Sequence, residues 1–280
     1  MSNAVQARWP RTLFVNAGRV SDSFFPLTAR IQSIERAAAI LRLLSGRNRR
    51  LGVVQLAGEL DLPKATVHGI LRTLAAVGFV EQDEETGKYQ LGAALLHMGS
   101  SYLDGNELRA RALNWSDSLA AHSGESVRIG TLHDGKVLVV HHAFRPDDSR
   151  QALEVGVLQP AHATAMGKVL LAANRHAAAE LAGEGLQRYT PATITDWKAL
   201  SSELEAVLER GWAGDAQELV VGEVSLAAPI DDRRGVTVGA IGISGPVERL
   251  TEDGAPRNDL VSFVREAARA VSRDLGTIPW

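Results

Sequence analysis

The chain contains no cysteine among its 280 residues. A disulfide framework and a thiolate metal site are therefore both excluded, as is typical of cytosolic proteins. No apolar run approaches the roughly 20 residues that a helix needs to cross a bilayer. Residues 1–28 also lack the apolar core of a signal peptide, because Thr12-Leu13-Phe14-Val15 is far too short. We therefore expect a cytoplasmic protein with a flexible N-terminal tail over residues 1–28 and no membrane partner.

Catalytic and cofactor motifs are missing as well. No HExxH, GxSxG or phosphate-binding loop pattern occurs, and Gly167-Lys168 is followed by valine rather than Ser or Thr. A metal or hydrolase site would have to draw on His133, His141, His142, His162, Asp134, Asp147 and Asp148. Adjacent strand residues point to opposite faces, so His141 and His142 cannot easily bind one metal. We expect no catalytic residue, no metal and no cofactor, which makes an enzyme the least favoured alternative.

The net charge of -3 hides an asymmetry along the chain. Residues 1–80 hold eleven Lys/Arg against four acids, a net of +7, whereas the remaining residues hold nineteen against twenty-nine, a net of -10. A basic front and an acidic rear are typical of a chain that offers one end to nucleic acid. The length allows two domains with separate cores.

Two short helices joined by a tight turn are predicted in the basic front half. Apolar residues at helical spacing predict a first helix over Val53–Glu59. Asp61-Leu62-Pro63 ends it, because proline disfavours helix in the residue before it. Proline suits the first turn of a new helix, so a second helix is predicted over Pro63–Val77.

A helical wheel divides the second helix into two faces. The predicted core face comprises Val67, Ile70, Leu71 and Leu74. The opposite face comprises Ala65, His68, Gly69 and Arg72, flanked by Lys64, Thr66 and Thr73, and it is therefore small, polar and cationic. Small residues allow close approach to a DNA groove, and His, Arg and Thr can donate to phosphates or base edges. An ordinary helical hairpin within a core is the structural alternative.

A hairpin directly after the second helix indicates a winged helix. Its strands are predicted at Gly78–Gln82 and Tyr89–Leu91, and Lys88 and Tyr89 are expected to meet backbone phosphates. The wing also carries Glu81, Asp83, Glu84 and Glu85, which repel phosphate and should hold its tip away from DNA. A third helix is predicted over Ile31–Leu44, with the inward residues Ile34, Ala37, Ala38, Leu41 and Leu44. The basic loop after it, which includes Arg49 and Arg50, is expected to contact phosphates.

The segment from Ile31 to Leu91 resembles the DNA-binding domain of the IclR family of bacterial transcriptional regulators. The resemblance is carried by IQSIERAAAILRLL and LAGELDLPKATVHGILRTLAAVGFVEQDEETGKYQLG. Ala65 stands where the family usually has a small hydroxyl residue, and Gly69 where it often has arginine, so base readout should depend on Thr66, His68 and Arg72. The resemblance implies DNA contacts from Arg49, Arg50, Lys64, Ala65, Thr66, His68, Gly69, Arg72 and Lys88.

The rear half changes from helical to mixed periodicity. A helical pattern over residues 93–123, interrupted at Gly105, predicts a linker that is also a candidate dimer surface. From Gly124 onward, strand hairpins mixed with helices favour an α+β domain around an antiparallel sheet. Strands are predicted at residues 126–132, 136–143, 224–230 and 236–244, and helices at 162–173, 177–181, 197–210 and 259–275.

This half is similar to the effector-binding domain of the same family, which is GAF-like. The matching stretches are VGVLQPAHATAMGKVLLA, TITDWKALSSELEAVLERGWAGDAQE and SLAAPIDDRRGVTVGAIGISGP. The resemblance implies a pocket beside the helix after Pro160, lined by Gln151, Gln159, Ala165, Met166, Asp215, Ser225, Gly242 and Ser244. The first-turn amides of that helix can bind a carboxylate without a basic side chain. Met166 narrows the pocket, so we expect a small organic acid or an aromatic metabolite as effector.

The sequence therefore predicts an α+β protein. Its parts are a tail (1–28), a winged helix-turn-helix domain (29–92), a linker and dimerisation helix (93–123) and a GAF-like domain of antiparallel sheet and flanking helices (124–280). We expect a homodimer or homotetramer that binds a palindromic double-stranded DNA operator. Repression of a catabolic operon, the commoner mode in the family, is the expected function. The main alternative is a DNA-binding protein whose rear domain is only structural.

Overall fold

The structure, a computed structural model, describes residues 31–46, 50–147 and 149–276. The predicted tail and Arg49 lie outside these residues. The described chain divides into two compact units between Gly105 and Asn106. Within the described ranges, no helix combines the length and the apolar character that a membrane span requires.

The front unit consists of four helices and one hairpin. In chain order these are α1 (Gln32–Leu44), α2 (Val53–Leu60), α3 (Lys64–Ala76), β1 (Val80–Gln82), β2 (Tyr89–Leu91) and α4 (Ala93–Asp104). β1 and β2 pair antiparallel, and Leu51 forms a further bridge to Tyr89. The arrangement is the predicted winged helix-turn-helix, with each predicted helix boundary within one residue of the observed one.

The turn between α2 and α3 follows from the residues that form it. Asp61 adopts a left-handed backbone conformation at φ 51° and ψ 47°, which aspartate tolerates better than most residues. The Leu62 N–H donates to Ala57 O at 3.0 Å and closes the end of α2. Pro63 then precedes α3, where its missing N–H removes no helical hydrogen bond.

The core of the front unit differs from the prediction in α1. Ile34 was predicted to face inward, but its side chain is 64% exposed, and this prediction is wrong. Ile34 lies in the first turn of α1, ahead of Ala37, the first residue of this helix that packs against the core. Ile40, which is fully buried, and Leu44 provide the main apolar contacts of α1 instead.

The rear unit is built around one antiparallel sheet of six strands in the order β5-β4-β3-β8-β7-β6. Its elements are α5 (Glu107–Ser123), β3 (Ser126–His133), β4 (Lys136–Ala143), β5 (Leu158–Pro160), α6 (Ala165–Ala173), α7 (Arg175–Glu184), α8 (Trp197–Arg210), β6 (Ala213–Ala216), β7 (Glu223–Asp231), β8 (Thr237–Pro246), α9 (Val247–Leu250), β9 (Thr251–Glu252), β10 (Ala255–Pro256) and α10 (Asn258–Gly276). Gly239 on β8 faces Leu108 of α5, whereas Gly242 faces Met166 of α6. The helices therefore cover both faces of the sheet, as expected when successive strand residues alternate.

The helix α6 is buried from Ala165 to Ala172 and begins later than predicted. Residues 161–163 form a 3-10 turn, and Thr164 is extended at φ -132°. The Thr164 hydroxyl accepts from the Gly167 N–H at 3.2 Å and caps the helix. A Cβ on Gly167 would lie 2.1 Å from Ala161 O, so only glycine lets α6 pack this closely against the preceding turn.

The predicted linker over residues 93–123 consists of two helices. Asn106 caps α5 by accepting from the Arg109 N–H at 2.8 Å. α4 contains no buried residue. Leu96, Met98 and Tyr102 on α4 are 74%, 56% and 58% exposed, so apolar side chains are open on more than one side of this helix within the described part of the chain.

Candidate functional site

The outer face of α3 has the composition that the wheel predicts. Val67, Leu71 and Leu74 are at most 7% exposed and anchor the helix in the core of the front unit. The predicted DNA-contacting residues on the opposite side are exposed, except Thr66, which is half-buried: Lys64, Ala65, His68, Gly69 and Arg72. The core side of α3 fixes the helix, so these side chains are displayed on a rigid support.

Gly69 is an open position at the centre of this face. No atom lies within 4 Å of the point where a Cβ would be added, so the backbone of α3 is bare there. The Thr73 hydroxyl donates to Gly69 O at 3.2 Å and is therefore already engaged within the helix. Lys64, His68 and Arg72 are the exposed donors with the longest side chains on the face.

The wing binds Arg50 through its side chain, which stays 54% exposed. Arg50 Nη1 donates to Asp83 Oδ2 at 2.8 Å, and its Nε donates to Gln90 Oε1 at 2.9 Å. Hydrogen bonds from the backbone and side chain of Thr86 lower the pKa of Asp83, so its carboxylate stays charged. Arg50, predicted to contact phosphate, thus has an internal carboxylate partner that competes for its guanidinium.

The remaining wing residues separate into exposed and structural ones. Lys88 is exposed at the tip. Tyr89, predicted to meet phosphates, is 5% exposed and packs in the core of the front unit, so this prediction is wrong. Glu81 accepts from the Ala93 N–H at 3.2 Å, at the first turn of α4. That acid supports a helix terminus and does not extend toward a ligand.

A cavity of about 40 Å³ lies in the rear unit between the sheet and the start of α6. Seven of the eight predicted ligand-binding residues line it: Gln159, Ala165, Met166, Asp215, Ser225, Gly242 and Ser244. The sequence analysis missed the lining residues Arg128, Thr164, Leu219, Val220, Glu223, Val224, Leu226 and Ile243. Gln151 lies elsewhere, because its amide bonds the backbone N–H and C=O of Arg145 at 2.8 and 2.9 Å.

A row of polar residues crosses three strands at the cavity. Asp215 on β6 pairs with Ser225 on β7, which pairs with Ser244 on β8. Asp215 Oδ2 accepts from Ser225 Oγ at 3.1 Å, and its Oδ1 accepts from the Glu218 N–H at 2.6 Å. Burial, together with a smaller effect of the neighbouring Glu218 charge, raises the pKa of Asp215 to about 7, although hydrogen bonds from the Glu218 N–H and Ser225 act in the opposite direction. Near neutral pH this carboxyl can therefore either accept or donate a hydrogen bond.

The first turn of α6 offers fewer free amides than predicted. The Ala165 N–H donates to Ser225 Oγ at 3.3 Å, and the Gly167 N–H is taken by Thr164. Among the described residues, no acceptor is found for the Met166 N–H. One free backbone N–H, rather than the whole first turn, is therefore available to a ligand at this terminus.

Arg128 adds a guanidinium to the cavity wall. It forms a two-pronged ion pair with Glu154, with Nε–Oε2 at 2.7 Å and Nη2–Oε1 at 3.0 Å. Its Nη1 also donates to Ser244 Oγ. An arginine in the apolar strand SVRIG is the signal that sequence reasoning passed over. Because Arg128 pairs with Gly242 across the sheet, it belongs to the cavity side.

A second buried ion pair lies next to Asp215. Lys168, on α6, pairs with Glu218, and their side chains are 2% and 7% exposed. Lys168 Nζ also donates to Gly214 O at 3.1 Å. The pair ties α6 to β6 and to the loop after it. Neither residue was singled out from the sequence for this role, because their spacing of fifty residues gives no local signal.

The histidines do not converge on a metal. His141 interacts electrostatically with Arg109 and Asp117 of α5, whereas His142 lies near Arg128 and Glu154. Burial lowers the pKa of His142 to about 4, so it is neutral at physiological pH. In residues 31–46, 50–147 and 149–276, no group of three or more His, Asp or Glu could hold a metal ion.

Comparison with known proteins gives matches over both units. The family model described as "IclR helix-turn-helix domain" matches residues 33–84, and "Bacterial transcriptional regulator IclR C-terminal" matches residues 100–273. The chain is 56% identical over 246 residues to the glycerol operon regulatory protein of Streptomyces griseus, covering 88% of this chain and 97% of that one. It is 32% identical over 247 residues to the transcriptional repressor AllR of Escherichia coli K12, covering 88% and 90%. The crystal structure of an IclR-type regulator from Alicyclobacillus acidocaldarius matches with a TM-score of 0.75 and 28% identity, covering 89% of this chain and 100% of that one.

Proposed function

Because the chain belongs to the IclR family of bacterial transcriptional regulators, we propose that it represses a glycerol-utilisation operon and that a small polar metabolite releases it from its operator. It is a DNA-binding transcriptional regulator with an effector domain and not an enzyme. The observation that carries the proposal is the 56% identity to a glycerol operon regulatory protein over 97% of that protein. Repression is supported by the name of the repressor AllR, which is 32% identical.

We assign DNA recognition to the outer face of α3. Lys64, Ala65, Thr66, His68, Gly69 and Arg72 would enter the major groove, with Lys88 near a phosphate. The bare backbone at Gly69 supports close approach to base edges. Because a single small module makes few base contacts, two copies would read two half-sites of a palindrome.

The effector would be compact and polar. A cavity that holds benzene in an engineered protein measures about 150 Å³, whereas the cavity here measures about 40 Å³. An aromatic metabolite is therefore the less favoured of the two expected effector types. The row Asp215, Ser225 and Ser244 offers hydrogen bonds suited to hydroxyl groups. A molecule with a three-carbon skeleton matches both the size and the polar lining.

DNA binding assays test the whole proposal. We expect fluorescence anisotropy to show tight binding to a promoter fragment upstream of glycerol-utilisation genes, about 10³-fold or more tighter than to random DNA. Adding a three-carbon effector should weaken this binding about 5–150-fold, the usual range of allosteric coupling. Equal affinity for promoter and random DNA would contradict a regulatory role.

An Asp215→Asn variant separates the two functions in the same assay. Asn keeps the oxygen that accepts from the Glu218 N–H, so the fold should be retained. Operator affinity without ligand should remain within twofold, while the effector concentration needed for release should rise. A purely structural rear domain, the main alternative, predicts that no small molecule changes DNA binding in either protein.

A second copy of the chain is the proposed partner of the exposed α4 surface. We expect Leu96→Glu to weaken self-association about tenfold to a hundredfold, because burying a leucine contributes about 1.5–3 kcal/mol. Sedimentation velocity over a concentration series measures the shift. Leu208→Glu on α8 is the matched control, since Leu208 is 54% exposed and lies outside α4. Equal effects of the two variants would exclude α4 as the specific interface.

A further inference from the structure

The guanidinium of Arg128 is not saturated by its partners. Arginine carries five N–H donors, and three of them are used by Glu154 and Ser244. Among the described residues, the other two N–H groups have no acceptor. Glu154 takes Nε and one N–H of Nη2, and Ser244 takes one N–H of Nη1, so Nη1 and Nη2 each keep one N–H for another group. Arg128 lines the cavity and Glu154 does not, so these two N–H groups belong to the cavity.

Glu154 fixes the direction of this guanidinium. Its backbone is held in turn, because the Glu154 N–H donates to His142 Nδ1 at 3.3 Å, and its carboxylate Oε2 accepts from Gln159 Nε2 at 3.5 Å. The side chains of Arg128 and Glu154 are only 13% and 8% exposed, so water does not screen the pair strongly. Burying a charged guanidinium whose N–H groups lack acceptors costs free energy, unless a ligand or a water molecule accepts hydrogen bonds from them.

The spacing of the strands sets the length of a ligand that reaches both ends of the polar row. Arg128 belongs to β3 but reaches over β8, because Nη1 bonds Ser244 Oγ. Asp215 belongs to β6 but reaches over β7, because it bonds Ser225 Oγ. β8 and β7 are neighbours, so Ser244 and Ser225, which the two groups contact, lie on strands about 5 Å apart. With bonds of about 1.5 Å, an extended three-carbon chain that carries an oxygen on each end carbon covers about this distance between the two oxygens.

The carboxyls on the same wall do not oppose an anion as strongly as their number suggests. Burial raises the pKa of Glu223 and that of Asp215, and so favours their uncharged forms. In that form a carboxyl donates a hydrogen bond to a ligand oxygen. Arg128 is the cationic group in the cavity wall.

We propose that Arg128 recognises a negatively charged group at one end of a three-carbon hydroxylated effector, with Glu154 as the positioning residue that presents the guanidinium. The inference rests on the proposed function for the size of the ligand. A carboxylate and a phosphate monoester share the required chemistry, since both accept from two N–H groups of one arginine. The hydroxyl end of the same molecule meets Asp215 and Ser225.

Calorimetric titration of the full-length protein with glycerol, glycerate and glycerol 3-phosphate tests the charge preference. The wild type should bind at least one anion about tenfold to a hundredfold tighter than glycerol, as expected for charge-assisted hydrogen bonds. The two anions separate a carboxylate effector from a phosphate effector. The Arg128→Gln/Glu154→Gln double variant removes both charges together, so no unpaired charge is buried. It should lose the anion preference and keep its affinity for glycerol.

Two further variants separate recognition from folding. Glu154→Gln alone keeps Arg128 but replaces one of the two oxygens that fix its guanidinium by an NH₂ group that cannot accept, so anion affinity should fall severalfold while glycerol affinity stays unchanged. Glu125→Gln/Arg249→Gln is the matched control, because that two-pronged pair (2.5 and 2.7 Å) lies outside the cavity lining. It should leave all three affinities unchanged.

Opposite results would overturn the inference without removing the proposed function. One such result is that glycerol binds as tightly as the anions and that the Arg128→Gln/Glu154→Gln variant changes none of the affinities. Arg128 then does not recognise the charge of the ligand, and the effector is a neutral polyol. If no three-carbon compound binds, the proposed effector size is wrong, and inorganic phosphate becomes the probe. Phosphate binding that the double variant abolishes would uphold the role of Arg128, and its absence in the wild type would refute it.

Discussion

Replacing Lys168 with methionine should lower the free energy of unfolding by about 3–5 kcal/mol, because the substitution leaves the buried Glu218 carboxylate without its cation. Lys168 is only 1% exposed, and Glu218 Oε2 already has no hydrogen-bond partner in the described part of the chain. Methionine fills a similar volume, so the loss would come from charge rather than from a cavity. Urea denaturation followed by tryptophan fluorescence measures it.

Two other variants show whether the loss belongs to the ion pair. The double variant Lys168→Met/Glu218→Leu should be more stable than Lys168→Met alone, because both charges are removed from the interior. Lys198→Met, on the exposed surface of α8, should change the unfolding free energy by no more than about 0.5 kcal/mol. A loss below about 1 kcal/mol for Lys168→Met would mean that water reaches Glu218 and that the pair is not a structural link.

Replacing Arg72 with alanine should weaken binding to the operator by about 1–3 kcal/mol if its guanidinium reads a base. Arg72 is exposed on α3, while its neighbour Leu71 is fully buried, so the substitution removes a donor without disturbing the core. Fluorescence anisotropy with operator and random duplexes at several salt concentrations measures the effect. A base-reading residue changes operator binding far more than random binding.

The control and the contrary result follow from the same assay. Arg42→Ala removes the same charge from an exposed position of α1. Arg42→Ala should weaken operator binding less than Arg72→Ala does. An equal loss on operator and random DNA for Arg72→Ala, with a reduced salt slope, would make Arg72 a phosphate contact. Specificity would then have to come from His68 and Thr66.

The sequence predicts the front unit well because its signals are local. The 3.6-residue period of α3 separates Leu71 from Arg72 without reference to any other element. Pro63 marks the start of α3 for a reason that lies within its own ring. The one clear error in α1, Ile34, concerns where the core ends rather than where the helix lies, and no local pattern encodes that.

Several elements of the rear unit depend on contacts between residues that are distant in sequence. The strands β5 and β6 have three and four residues and were missed, because so few residues display little of a period of two; the equally short β1 and β2 were predicted from the turn that joins them. α6 begins at Ala165 because Thr164 caps it and Gly167 fits against Ala161, which are contacts that only the fold reveals.

The cavity lining was predicted by resemblance rather than by residue chemistry. Seven of its residues follow the family pattern, whereas Arg128 depends on a partner, Glu154, that lies twenty-six positions away. A pair so distant in sequence leaves no periodic signal. Gln151 was predicted to line the cavity, but its side chain accepts from the Arg145 N–H and stabilises that turn instead.

The tight contact between Gly167 and Ala161 decides how this sensor can be re-engineered. A library that varies residues 161–168 would mostly return unfolded proteins, because any side chain at Gly167 collides with backbone. Substitutions at Ser225 and Ser244 on the strands alter the opposite wall and leave that contact intact. A biosensor for a new metabolite should therefore be sought by mutating the strand residues that line the cavity, such as Ser225 and Ser244, and by keeping residues 161–168 unchanged.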